Sequence, residues 1–480
     1  MRLQAPYLSA SEVARVHEES LRILAEVGIR VHGERALPLL ADAGAKVDPA
    51  AGIARIPRDL VERALATTPR SFVLGARNPS LAYAMPSPAS RYAIDGTAAF
   101  VRDFDTGERR YGTRADITAA MRVLRACDMA VMAWPPVAAS DAPVGSRPLH
   151  EFATMLAAYA GHGEHELHRR DQAPFLAAIL AAVAGGEAAV RDRHEASLVY
   201  CPVAPLVHDG PMLDAYLDLG DLDVPVMVLP MPVPGTTGPA SLLGNVALAN
   251  AEALSSIVAF QVAHPGRPIL YGSAVGSMDF RSGAFLAGTP EMGIQSAALT
   301  TMGRWYGLPT AAAGCSADAH EPGPEAVIEK LLTMVPTAAA GADVIVGFGE
   351  IDGDQTLILE QILVDNELAH LVDRLVAGVD GRSGAELFDD VVEVGPGGNF
   401  LVMPATRTAA RSGEFFAPSL IGRLGIDAWS GLGKPSMSTR ARDRVRAILD
   451  GPILDPLPDP VAAEVDRILA EADGALADKG

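Results

Sequence analysis

The chain is 480 residues long, 49% hydrophobic and 20% charged, with 39 Lys and Arg against 59 Asp and Glu for a formal net charge of −20. That acidity opposes recognition of nucleic acid or an anionic membrane through a general basic field; it serves mostly solubility and also suits a cationic substrate. No apolar run reaches about 18 residues without a polar interruption, and the N-terminal MRLQAPYLSASEVARVHEES lacks the hydrophobic core of a signal peptide. Three scattered cysteines, Cys127, Cys201 and Cys315, make neither a disulfide framework nor a structural zinc site, so a cytoplasmic enzyme is expected.

The first 90 residues read as a helical cap. SASEVARVHEESLRILAEV (9–27) carries a Ser start signal, apolar residues at helical spacing and Gly28 at its stop, and ERALPLLADAGA (34–45) repeats that logic. RYAIDGTAAFVRDFDTGERRYGT (91–113) holds two β-prone runs around an Asp-Thr-Gly-Glu turn, the pattern of a hairpin leading into the central part of the chain.

From about residue 130 to 405, short β-like runs then alternate with helix-length segments eight times. The runs are AVMAWPPVAAS (130–140), GEHELHRR (163–170), ASLVYCPVAPLV (196–207), VPVMVLPMP (224–232), PILYGSAVG (268–276), PTAAAGCSA (309–317), DVIVGFGEI (343–351) and FLVMPA (400–405). Most are Val/Ile/Leu-rich without strict alternation, as parallel strands covered on both faces should be, and apolar stretches such as LLGNVALANAEALSSIVAFQVA (242–263) separate them. The second run, rich in His and Glu, is the weakest. Eight β/α units predict a TIM (β/α)8 barrel, for which roughly 250 to 300 residues suffice. The expected division is a cap and hairpin over 1–113, a barrel over 114–425 and a helical extension over 426–480. Pro452, Pro456, Pro458 and Pro460 mark a linker into a final acidic helix.

Such a barrel places its chemistry at the carboxyl ends of its strands. GHGEHELH brings His162, His165 and His168 within seven residues, but on a strand His165 and His168 point to opposite faces, which argues against one shared ion. DAHEPG (318–323) has the D-x-H-x-x-G form by which corrinoid-binding domains supply a lower-ligand His, without the downstream Ser and Gly pairs of those domains. A structural or substrate-contacting role at a strand end fits it better. GPGGNF (395–400) could offer backbone N–H groups to an anion, or serve as a tight turn whose glycines supply positive φ. No G-x-S-x-G, H-E-x-x-H, P-loop or dinucleotide fingerprint is present.

Taken together, GIRVHGERALPLLADAGAKVD (28–48), FDTGERRYGTRADI (104–117), ANAEALSSIV (249–258), YGSAVGSMDFRSGAFLAGTPEMGIQSAALTTMGRWYGLP (271–309), LVDNELAHLVDR (363–374) and EVGPGGNFL (393–401) resemble the trimethylamine methyltransferase family almost end to end. The resemblance implies a TIM barrel that moves a methyl group from a methylated amine to the cobalt of a separate corrinoid protein, with no cofactor tightly bound to the chain itself. The family's trimethylamine branch carries pyrrolysine, whereas this sequence has only ordinary residues. It is thus similar to the non-pyrrolysine branch, which includes enzymes demethylating quaternary amines such as glycine betaine. The apolar composition is that expected of a homo-oligomer.

A quaternary ammonium cannot donate a hydrogen bond, so aromatic faces and carboxylates should recognise it. Phe348 and Glu350 at the seventh run, Tyr271 on the fifth, Trp134 on the first and Phe100 before the barrel are candidate contacts, although each aromatic also suits core packing. Asn250 and Glu252 of the family-like ANAE sit on a helix, where polar contacts between helix and barrel are the alternative. Asp318 and His320, with Glu325 and Glu329 on the next helix, occupy a family-like block and rank with Glu350 as catalytic candidates. A betaine carboxylate would need donors, from Asn399 and the amides of Gly397 and Gly398, or from Arg281. Many relatives follow this block with a stretch like HPHT where this chain reads MPAT (403–406), which leaves the substrate open. Two other readings stand beside methyl transfer: a lyase or hydrolase on an onium or amine compound using Asp318 and His320 as acid and base, and a noncatalytic ligand-binding barrel.

Overall fold

The structure is a computed structural model and describes residues 5–379 and 388–477. Eight parallel strands close a barrel: β1 (Arg91–Ile94), β2 (Ala130–Ala133), β3 (His162–His165), β4 (Ala196–Tyr200), β5 (Val226–Val228), β6 (Ile269–Ser273), β7 (Thr310–Ala313) and β8 (Val344–Phe348). Neighbours in sequence are neighbours in the barrel, and β8 returns to β1 through the pairs Val344 with Arg91 and Phe348 with Ile94. Behind the strands lie α1 (Arg114–Leu124), α2 (Arg147–Ala158), α3 (Ala173–Ala184), α4 (Gly210–Asp218), α5 (Leu242–Ala263), α6 (Pro290–Trp305), α7 (Pro324–Ala340) and α8 (Leu359–Ala377). Every residue of β4, β6, β7 and β8 is buried, which is why these runs are apolar without alternation, and β3 is buried as completely although it reads HGEH.

The barrel is the expected fold, but its first and last strands are not where the rhythm puts them. RYAI, assigned to the hairpin, is β1, and FLVMPA is no strand: Phe400–Val402 is a 3-10 turn followed by the short helix Pro404–Ala409, with Leu401 and Val402 exposed. A strand persists only where a neighbour takes its hydrogen bonds, and β1 already occupies the place beside β8. The hairpin forms from Phe100–Arg102 and Arg109–Tyr111. It is inserted between β1 and α1 and pairs with Thr356–Leu357, beyond β8, in a small sheet over that end of the barrel.

The cap has the expected helices, Ala10–Arg22 and Ala36–Asp42, and a third, Arg58–Thr67. Ser9 and Glu12 form a reciprocal capping box at the first, and Gly28, at φ 85°, follows its last turn. The cap is not purely helical. Ile29–Val31, Lys46–Asp48 and Ile53–Arg55 form a sheet with Val207–His208, strands of two or three residues that are too short to carry an alternating signal. In the extension, Met437–Leu449 packs on α1 and α8, and Asp459–Leu476 packs on α2 and α3. Helix α5 is apolar around its whole circumference because it lies between the barrel and the cap helices. By length and composition it could cross a membrane, yet 89% of its most apolar window is buried inside the fold.

Candidate active site at the carboxyl ends of the strands

Four carboxylates converge where the strands end. Asp95 follows β1, Glu164 is the third residue of β3, and Glu350 and Asp354 follow β8. Glu164 and Glu350 are fully buried, while Asp95 and Asp354 are half-buried. Strand geometry fixes the direction of Glu164. Its Oε2 accepts from Ser197 Oγ on β4 at 3.3 Å, and the same hydroxyl lies 2.9 Å from Nε2 of His162, two residues earlier on β3. The period of two therefore places His162 and Glu164 on the inner face and His165 on the outer, where its Nε2 lies 3.0 Å from Glu151 Oε2 on α2. His168 is exposed near Glu166, so the three histidines do not converge. Among the described residues, no group of three or more His, Cys, Asp or Glu is placed to share a metal ion.

One aromatic side chain stands beside the carboxylates. Trp134, directly after β2, is 4% exposed and packs on Gly96, where a Cβ would lie 2.4 Å from the indole Cγ, so only glycine fits beside Asp95. Phe348 instead stacks on Tyr92 with ring centroids 5.0 Å apart, on the outer face of the barrel wall, since Ala93 is the inward neighbour of Tyr92.

Glu350 is aimed by what surrounds β8. Gly347 and Gly349 adopt φ of 138° and 89°, values that glycine alone reaches without strain, and they turn the chain at the end of the strand. The Gly349 N–H donates to Asp365 Oδ2 on α8 at 2.7 Å. That carboxylate also pairs with Lys330 on α7 at 2.9 Å, both side chains being fully buried. Lys330 Nζ donates further to the carbonyls of Cys315 at 2.7 Å and Gly347 at 2.9 Å, so one ammonium fastens the ends of β7 and β8 together. Burial opposes its charge, and Asp365 outweighs burial to hold the ammonium protonated, above the ordinary lysine range.

The four mouth carboxylates have no such partner. Burial pushes Glu164 up to about 8 and Asp95 up to about 6. Glu350 and Asp354 stand well above the carboxylate range, first through burial and then through repulsion from Asp95. Among the described residues, Glu164 Oε1, Glu350 Oε1, Asp354 Oδ1, Thr97 Oγ1 and Trp134 Nε1 are buried atoms without a hydrogen-bond partner. Buried carboxylates with oxygens left unpartnered are costly to ionise, and a bound cation would offset that cost.

Trp134 and Glu350, chosen from the sequence, are thus part of this cluster, whereas Phe348 is not, because it pairs with Ile94 and stacks on Tyr92 on the outer face of the barrel wall. The others lie elsewhere. Asp318 engages both oxygens with the N–H groups of Ala287 and Gly288, at 2.8 and 2.9 Å, and Glu329 accepts from the N–H groups of Asp318 and Ala319. His320 is exposed on the rim, its Nδ1 2.6 Å from Asp352, and Glu325 is exposed on α7. Tyr271 points outward from β6 and donates to Asn250 Oδ1 at 2.7 Å, while Asn250 Nδ2 donates to Ser20 and Tyr306. Glu252 accepts from the Leu206 N–H at 2.8 Å, and burial pushes its carboxyl up to about 8. Phe100 stacks on Tyr111 and carries the Arg109 guanidinium 3.6 Å from its ring centre. Arg281 is exposed beside Asp279. Gly397 and Gly398 are exposed, and Asn399 caps its own turn by accepting from Leu401 N–H. Asp95, Glu164, Asp354, Thr97 and the Lys330–Asp365 pair escaped the sequence reading. Counting RYAI as a strand would have placed Asp95 at a strand end, and a period of two through HGEH would have turned Glu164 inward.

The sequence comparisons point to one family, and the structural comparison to one fold. A profile described as Trimethylamine methyltransferase (MTTB) matches residues 3–472. The chain is 29% identical over 465 residues to "Trimethylamine methyltransferase MttB" of Desulfitobacterium hafniense (strain DSM 10664 / DCB-2), covering 97% of this chain and 93% of that one. It is 28% identical over 445 residues to "Glycine betaine methyltransferase" of Desulfitobacterium hafniense (strain Y51), covering 92% and 91%. The solved Methanosarcina barkeri monomethylamine methyltransferase (MtmB) shares its fold, with a TM-score of 0.52 at 12% identity over 99% of this chain and 89% of that one. With a profile match spanning nearly its whole length, the chain belongs to the trimethylamine methyltransferase family.

Proposed function

We propose that this chain takes a methyl group from a cationic methylated amine, quaternary or protonated tertiary, and hands it to a separate corrinoid protein that docks at the barrel mouth. The observation that carries the reading is the cluster of Asp95, Glu164, Glu350 and Asp354, buried or half-buried at the strand ends, with unpartnered oxygens on three of the four. Sequence identity to the trimethylamine and glycine betaine relatives is nearly equal, at 29% and 28%, so relatedness alone does not choose between their substrates.

The corrinoid, carried by the partner, supplies a reduced cobalt nucleophile for the methyl carbon. The chain's own residues bind and align. The carboxylates hold the nitrogen charge, and Trp134 walls the site against water. When the C–N bond breaks, its electron pair stays on nitrogen and the amine becomes neutral. A quaternary substrate needs no proton for this step, so no general acid is required. Loss of the charge also removes the attraction, and the product amine leaves as the carboxylates regain protons. The acid–base pair of a lyase or hydrolase is not assembled here: Asp318 is fully engaged with backbone N–H groups and His320 stands exposed.

The test mixes the purified protein with reduced corrinoid protein and a panel of methylated amines, following cobalt methylation by its visible spectrum. Amine-dependent methylation is the expected result. If one amine binds by calorimetry and no member of the panel yields methylated cobalt, the noncatalytic or lyase readings replace this one.

A further inference from the structure

We propose that the substrate carries no carboxylate: the mouth is built for an onium ion whose remaining substituent is neutral and accepts a hydrogen bond, a choline-type cation rather than a betaine. The inference rests on the mouth being a cation site. It follows from a census of positive charge. Every arginine on the strand-to-helix loops is already ion-paired, Arg109 with Asp352 at 3.1 Å and Arg281 with Asp279 at 3.4 Å among them. No lysine lies on those loops. Lys330, beneath them, is fully buried and bonded to Asp365 and two carbonyls.

In a betaine such as glycine betaine, the carboxylate is one methylene away from the nitrogen. With the nitrogen held among Asp95, Glu164, Glu350 and Asp354, it would lie beside those carboxyl groups with no loop arginine or lysine among the described residues free to pair with it. The other candidate donors are elsewhere: Asn399 caps its own turn, Gly397 and Gly398 are exposed in the turn before it, and Arg281 is exposed on its loop.

What the mouth does offer is neutral. Trp134 is 4% exposed, its indole packed against Gly96, and its Nε1–H has no acceptor among the described residues. Thr97 Oγ1, on the residue after Gly96, is likewise buried and without a partner. A hydroxyl or ether oxygen on the substrate would satisfy such a donor without adding charge.

The test is isothermal calorimetry on the intact protein with three near-isosteric probes. Choline carries a cation and a hydroxyl, glycine betaine exchanges the hydroxymethyl group for a carboxylate, and 3,3-dimethyl-1-butanol replaces the charged nitrogen of choline with carbon. The expected result is choline binding at least about tenfold tighter than glycine betaine, with the neutral alcohol weakest. Glycine betaine binding as tightly as choline or tighter would overturn the inference and leave the proposed methyl transfer standing. A neutral alcohol that binds as well as choline, or no binding by either onium ion, would overturn the cation-site reading and the inference with it.

Discussion

Two sets of buried polar residues in this barrel look alike in the sequence and behave differently in space. At the seam between α5 and the strands, Tyr271 donates to Asn250 at 2.7 Å, and Asn250 donates in turn to Ser20 at 2.8 Å and Tyr306 at 3.0 Å. Cap, helix and strand are joined by one satisfied network. At the mouth, Glu164, Glu350 and Asp354 keep oxygens with no partner among the described residues. A buried polar group with all its hydrogen bonds made explains itself as structure, whereas several carboxylates left short of them at one strand-end site point to a ligand, which the single unpartnered oxygen of Glu252 on α5 does not. The Lys330–Asp365 pair belongs with the seam by this criterion, although it stands directly under the mouth.

The largest expected effect tests that assignment. Lys330→Met removes the ammonium from Asp365 and from the carbonyls of Cys315 and Gly347, leaving a fully buried carboxylate uncompensated. Loss of one partner of a buried pair costs on the order of 3–5 kcal/mol. Denaturant unfolding should show a loss of that size. A loss under about 1 kcal/mol would mean that the pair does not anchor the β7 and β8 ends and that Glu350 is positioned by something else.

How much of this was legible beforehand differs between the two regions for a physical reason. Barrel strands buried on both faces leave a trace that is local in sequence, so seven of the eight runs land on strands of the barrel. The strand-end rule then finds Trp134 and Glu350, which lie just past β2 and β8, while Phe348, in the last position of β8, faces outward onto Tyr92. Asp95 was hidden because the four residues of RYAI read equally well as one arm of the neighbouring hairpin, and only pairing with β8 decides the matter. Tyr271 was misassigned because an apolar run covered on both faces does not reveal which residues point in. Lys330 and Asp365, thirty-five residues apart on different helices, meet only through tertiary structure.

Neutralising a mouth carboxylate should have the opposite signature. Glu164→Gln preserves shape and removes a buried charge that has no counter-ion, so stability should hold or rise by about 1 kcal/mol while onium affinity falls about tenfold at pH 8.5. The pH dependence sharpens the contrast. Burial pushes the folded-state value of Glu164 up to about 8 from an ordinary 4.5, so the native state holds this proton more tightly than the unfolded chain. Its contribution to stability is complete below about 4.5 and is lost as pH rises towards about 8. Cation affinity should climb over the same window, because binding expels the proton. Near pH 5 the wild type is protonated at this position and should bind as weakly as Glu164→Gln. Parallel affinity curves for the two proteins from pH 5 to 8.5 would remove Glu164 from the site.

The smallest effect comes from the seam. Tyr271→Phe removes one hydroxyl and leaves Asn250 Oδ1 without its donor in a fully buried position, a loss of about 1 kcal/mol. The ring itself remains, packed beside Gly303, where a Cβ would come within 2.7 Å of it, so no cavity opens and the barrel keeps its shape. If Tyr271 is structural, onium affinity should match wild type and the pH window set by Glu164 should not move, while unfolding shifts by that small amount. If instead affinity falls tenfold with stability unchanged, Tyr271 would belong with the mouth. The rule that separates ligand-seeking from self-satisfied polar groups would then fail in the region where its hydrogen bonds are most complete.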